Sequence, residues 1–456
     1  MTPLRKLHPL DITAGTACLV LVVAALALST YSNWLGVHVS LYTTNATNQV
    51  SPFETLTFRF SQPVDQKEVQ SELTMQPSVP GKFDWQNDHT LLFVPNSPYP
   101  ETVIIHLGSS QIGTGGVWLR RDDDWKLSVR QPLVVYMSYS DPQRELMAIS
   151  ATGGKPHQLT STDGKVFDFD TSPLGDWIVY SLPNAKNGRD LWLVDRDGQN
   201  NHLLLDCGAD LCTSPAWSPD GKSIAYNRQS AGLTATSLLG APHLRIVDTT
   251  TGVDRPVYSD PQITSTGALW SPDGNWLASY DSVGSQIRVV NLQSGRQVTL
   301  PSALGLLGSW SPDSAYLVYP NSTTGVLGTP PELFKADFQS GELGAFVGLE
   351  SSSGNYDFGD PAWSPDGKSL LLDSLIDAQG PDQELWLYRP AMMDGFVITD
   401  KTGYSYDSFS WDPWGTRLVV QAAELNDAFS PQIDIWQYGQ DLKMIADNGI
   451  SPHWLP

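Results

Sequence analysis

Apolar residues fall along this chain in three patterns. The first is a single run. From residue 12 to residue 31 the chain is almost wholly apolar, with CLVLVVAALAL at its heart (residues 18–28). That is about the ~20 residues a helix needs to cross a bilayer. The second pattern, over residues 38–130, alternates apolar and polar positions, as in ETLTFRF (54–60) and HTLLFVP (89–95). Such alternation predicts half-buried strands of a small antiparallel sandwich. The third is a set of short apolar runs that keep returning: WIVYS (177–181), SIAYN (223–227), WLASY (276–280), YLVYP (316–320), SLLLD (369–373) and RLVVQ (417–421). A second run follows each of them, such as DLWLVD (190–195) or ELWLYR (384–389). Runs this short, bounded by turn residues, read as strands. The predicted fold class is all-β, with one helix at the N-terminal end.

The turn residues before each short run repeat as well. WSPDG occurs at 217–221, 270–274 and 363–367, with the variants WSPDS (310–314), WDPWG (411–415) and TSPLG (171–175). The prolines at 173, 219, 272, 312, 365 and 413 are spaced by 40 to 53 residues. A period near 40–50 with four short strands per unit is the signature of a β-propeller. Ser-Pro-Asp-Gly fits a type I turn in which Pro fixes φ at the second position and Gly takes positive φ at the fourth. Ser314 stands at that fourth position, so its turn is expected to be strained or differently shaped. Residues 133–140, 145–151 and 156–160 look like strands two to four of a unit lacking its first. SPHWLP (451–456) repeats the start of SPAWSP (214–219) and looks like that missing strand. Six complete blades plus this composite give a seven-bladed propeller closed by its C-terminal strand.

The WSPDGK phrase with its LWL-type third strand resembles the repeat of TolB-type periplasmic proteins. It is also similar to the propellers that precede the catalytic domain of prolyl oligopeptidase-like enzymes. The phrases F-x-F-S-x-P-V-D (58–65) and W-x-x-D-x-T-L-x-F-x-P (85–95) resemble the bacterial Ig-like domains of SbsA-type surface proteins. The expected organisation is a cytoplasmic stub and transmembrane signal-anchor (1–37), an Ig-like β-sandwich (38–130) and a TolB-like propeller (131–456). The TolB resemblance implies an envelope-assembly or scaffold role.

Charge narrows the function. The chain of 456 residues has 27 Lys plus Arg against 49 Asp plus Glu, a formal net charge of −22. That surface repels a phosphate backbone, so nucleic acid is excluded as a partner. Arg5 and Lys6 precede the apolar run, and Tyr31 and Trp34 follow it. This order predicts a single-pass membrane protein, cytoplasmic at its N-terminus and otherwise extracytoplasmic. A signal peptide cleaved near Ala25-Leu26-Ala27 is the alternative. Cys18 lies within the run. Cys207 and Cys212, in DCGADLC, are the only other cysteines and are expected to form a disulfide.

Catalytic signatures are missing: no G-x-S-x-G, no H-E-x-x-H, and no nucleotide-binding glycine loop. The chain ends where a prolyl oligopeptidase-like enzyme would carry its hydrolase domain. The expectation is a non-catalytic protein without a cofactor. Histidines such as His243 read as structural or exposed. Asp195-Arg196-Asp197-Gly198 reads as a hairpin turn, and the repeated tryptophans read as packing between blades. Three residues before each motif tryptophan stand Asp168, Ser214, Gly267, Leu307, Asp360, Ser408 and Ser451, with Asp407 one residue earlier. Asp168, Asp360 and Asp407 are thereby expected to ring the channel mouth, where clustered carboxylates would suit a divalent cation. Long segments on the same face (227–243, 320–332, 348–360, 374–384 and 421–432) are candidate recognition loops. The function expected is binding of a protein or cell-envelope component through that face. A small-molecule or glycan receptor in the mouth is the second reading, and a hydrolase or lyase using the mouth carboxylates the third.

Overall fold

The computed structural model describes residues 19–24, 36–43, 49–108, 110–119, 123–139, 144–232, 239–322, 332–346, 356–376, 383–399 and 402–456. These fall in two compact units, Met1–Arg130 and Gln131–Pro456. Among the described residues no helix is long and apolar enough to cross a membrane. This corrects the expectation of a single-pass membrane protein. The helix described within the apolar run covers residues 19–24, a rise of about 9 Å against the ~30 Å of a hydrocarbon core. The rest of that run lies outside the described residues, as do 233–238, 323–331, 348–355 and 377–382 of the expected loops.

The first unit is two four-stranded sheets. One orders Val39–Tyr42, Leu56–Phe60, Thr90–Pro95 and Gly81–Asn87; the other orders Gln49–Val50, Asp123–Val129, Thr102–Leu107 and Leu73–Gln76. The sequence alternation becomes burial. Leu56, Phe58 and Phe60 are buried while Arg59 is exposed, and Val103, Ile105 and Leu107 are buried from the other sheet. Phe58 meets Trp125 edge-on at 5.8 Å, one sheet against the other. A short helix, Gln66–Glu72, is capped by Asp65, whose side chain accepts from the amides of Lys67 and Glu68.

In the second unit the strands pair in repeated groups of four. Gly449–Leu455 pairs with Leu133–Ser138, which continues through Leu146–Ser150 to His157–Gln158. The next four strands run from Phe169–Thr171 to His202–Leu205, and the following four from Leu211–Trp217 to Asp254–Pro256. One parallel pairing, Arg189 with Leu211, joins these two groups into a single eight-stranded sheet. Four further four-stranded sheets begin at Thr266–Trp270, Ser309–Trp310, Tyr356–Trp363 and Tyr404–Trp411. The segment 421–432, expected as a loop, is instead mostly the tip of a hairpin between Arg417–Glu424 and Asp427–Gln437.

Second strands are buried on both faces, as at Ile178, Val179 and Tyr180 or at Leu418, Val419 and Val420, because a sheet lies against each side. Arg417, which opens one of them, donates through Nε to the fully buried Asp412 at 3.0 Å. Apolar clusters run from each sheet to the next. One joins Val135 and Leu455 to Ile178 and Tyr180, and another joins Val419 and Ile433 back to Val134 and Trp454. The chain of clusters therefore closes on itself.

The repeated motif explains the repeated sheet. In each Ser-Pro-Asp-Gly turn the Ser hydroxyl donates to the Asp carboxylate, at 2.7 Å for Ser218 and Asp220 and 2.8 Å for Ser364 and Asp366. The fourth residue takes positive φ, 68° at Gly221 and 70° at Gly367. Ser314 adopts the same conformation at 59°, so its turn is not differently shaped. Its hydroxyl accepts from the amide of Asp273 on the adjacent sheet at 3.0 Å, a contact glycine cannot make. The motif tryptophans bind sheet to sheet. Trp270, Trp310, Trp411 and Trp454 donate their indole N–H to the carbonyls of Ala216, Leu269, Ala362 and Ser410, at 2.9–3.3 Å. Each acceptor directly precedes the motif residue of a neighbouring sheet.

Candidate functional site

The innermost strands share one local irregularity. Ser214, Gly267, Ser408 and Ser451, each three residues before its motif tryptophan, have φ of 51°, 69°, 45° and 51°. At each the strand register shifts, as it does between Phe358 and Pro361. These are β-bulges, which re-aim side chains and leave amides without ladder partners. Side chains supply the missing acceptors. Asp168 accepts from the Ser214 amide at 2.6 Å, and Gln421 from Ser451 at 2.9 Å.

This geometry separates the three expected carboxylates. Asp168 serves the neighbouring bulge and lies in the field of Arg189; burial raises its pKa, and the Ser214 amide and Arg189 oppose that rise. Arg189 in turn stacks over Phe167, 3.6 Å from the ring centre. Among the described residues Asp360 and Asp407 have no such cation. Both are solvent-accessible, yet enclosed enough that desolvation raises their pKa.

The sequence reading missed their third member, Asp373. It belongs to the second strand Leu370–Ile376, opposite the Gly359–Asp360 bulge. Its pKa is pushed up to about 7, first by burial and then by the negative charges of Asp360 and Asp407. Its Oδ1 is buried without a hydrogen-bond partner. The signal was present in SLLLD (369–373), a second-strand run that ends on a carboxylate. Among the described residues no group of three or more His, Cys, Asp or Glu side chains is arranged to hold a metal ion. What the arrangement offers is localised, uncompensated negative charge and a carboxyl group able to exchange a proton near neutral pH.

Cys207 and Cys212 form a disulfide, with 6.3 Å between Cα atoms. It frames a turn whose Asp210 accepts from Arg228 Nε at 2.8 Å and from the Ala231 amide at 3.2 Å.

A family model, the TolB beta propeller domain, matches residues 176–429. The chain is 28% identical over 175 residues to the uncharacterized peptidase YuxL of Bacillus subtilis (strain 168), covering 37% of this chain and 22% of that one. It is 32% identical over 124 residues to the Tol-Pal system protein TolB of Francisella tularensis, 26% of each. The chain thus spans 22–26% of the length of these curated relatives. A puromycin-hydrolyzing peptidase of Mycobacterium tuberculosis aligns with a TM-score of 0.50 at 13% identity, over 77% of this chain and 53% of that one; the likeness is one of fold. The curated relative named as a peptidase, YuxL, overturns the expectation of a non-catalytic protein. The physical reason is that a motif scan sees only linear signatures, whereas an acid–base pair can be assembled by tertiary structure.

Proposed function

Because the chain belongs to the TolB beta propeller domain family, we propose that its second unit is a seven-bladed binding module for a protein or cell-envelope component carrying a basic group. The first unit is an Ig-like module in this reading. The observation that carries it is the trio Asp360, Asp373 and Asp407, in which burial first, and then the charges of Asp360 and Asp407, push the Asp373 pKa up to about 7. A lysine or arginine entering the mouth would neutralise charges that now repel one another, and the enclosed site would strengthen the attraction. The net charge of −22 favours the same sign of partner at long range.

Affinity capture from extract of the source cells tests this, using the full chain and an Asp360→Asn/Asp373→Asn/Asp407→Asn variant as baits. A protein held by the first bait, lost with the second and released by salt supports the reading. Equal recovery on both baits sinks it. A parallel arm with added magnesium or chelator tests the divalent-cation alternative, in which capture or stability would follow the metal.

A further inference from the structure

Away from the mouth, the eight-stranded sheet carries a cleft of about 340 Å³, within the size range of small-molecule sites. Its apolar lining is Pro256, Tyr258, Pro261 and Ile263, and the carboxylates of Asp210 and Asp260 line it as well. Tyr258 is buried, and its hydroxyl is occupied by Ser279 at 3.0 Å. Two arginines line one side, and their commitments differ. Arg228 gives Nε to Asp210 at 2.8 Å and a terminal nitrogen to the Cys207 carbonyl at 3.4 Å. Arg245 gives Nε to the carboxylate of Asp254 and lies beside the Tyr226 hydroxyl. Asp254 also accepts the Tyr226 hydroxyl at 2.7 Å. Its charge is thereby shared, while Arg245 keeps a side chain 24% exposed at the cleft. His243, expected to be structural or exposed, lies beside it. Its Nδ1 donates to the Ile263 carbonyl at 3.0 Å.

We propose that this cleft binds a small apolar carboxylate, with the carboxylate on Arg245 and the hydrocarbon body against Pro256, Pro261 and Ile263. The planar guanidinium, beyond its Nε contact, matches a carboxylate in two-pronged geometry. The apolar lining supplies the area that holds the body. The site is independent of the acidic mouth. The carboxylate has two sources, a free branched-chain acid or the C-terminal residue of a peptide, and both present the same chemistry.

The test is titration calorimetry on the full chain with 4-methylpentanoate, its amide, and a pentapeptide ending in leucine with a free or amidated C-terminus. Saturable binding of the acids, at least about tenfold tighter than of the matching amides, is expected. Preference for the free acid or the peptide identifies the source. Arg245→Gln should lower affinity about tenfold or more. Ser259→Trp, at an exposed rim position, should block binding while leaving the melting temperature unchanged. Equal binding of acid and amide, no saturation by about 10 mM, or unaltered binding by Ser259→Trp overturns the proposal.

Discussion

At Gly175 a Cβ would stand 1.8 Å from the Pro456 carbonyl oxygen, in a backbone held at φ 70°. Gly221 has the same conformation, but its nearest neighbour would be 3.9 Å away. Gly221→Ala therefore meets only the left-handed backbone penalty, about 1 kcal/mol. Gly175→Ala adds a backbone collision and should cost at least ~2 kcal/mol, read as a lower denaturation midpoint. Asp373 gives a pH signature. Its folded pKa of about 7 lies above the usual carboxylate value. The protonated form is thus favoured in the fold, and stability present below about pH 4 is lost as pH rises through about 7. Asp373→Asn should raise stability by about 2 kcal/mol at pH 8 and by almost nothing at pH 4. Thermal melts at the two pH values check this; an equal effect at both would refute the charge argument.

The strands themselves were legible from the sequence. SIAYN became Ser223–Gln229 and LVVYMSYS became Leu133–Ser138 because turn chemistry and hydrophobic runs act locally. The composition of the mouth was less legible, since Asp360, Asp373 and Asp407 meet only through strand pairing and sheet packing. The bulges explain both outcomes. Serine and glycine recur before the tryptophans because the backbone there is left-handed, and the sequence alone offered no sign of which side chains the shift would re-aim. The disulfide belongs to the same scale. With a separation of five residues, it should contribute about 2 kcal/mol by the chain-entropy estimate. Its reduction should therefore lower the melting temperature modestly, and exchange should rise first around Asp210 and Ala231, which it holds together. Hydrogen exchange with and without reductant reads this out; uniform loosening of the whole unit would contradict it.

Across the whole molecule, closure rests on the last strand. Thr171 donates to the Trp454 carbonyl at 2.7 Å, and Arg196 donates to the carbonyls of Leu455 and Pro456 at 3.2 and 2.7 Å. Removing residues 449–456 takes away this latch and bares the edge of Leu133–Ser138. Calorimetry should then show the second unit's transition lost or much lowered while that of Met1–Arg130 persists. Simultaneous loss of both would mean that the two units do not unfold independently.

The latch also sets a clock. Leu133–Ser138 leaves the ribosome about 310 residues before Gly449–Leu455, an interval on the order of 15–60 s at typical synthesis rates. Throughout it, a strand destined for the interior waits with one side unpaired and open to partners on other nascent chains. Slowing translation between the two should therefore lower soluble yield, even though the finished protein would be identical.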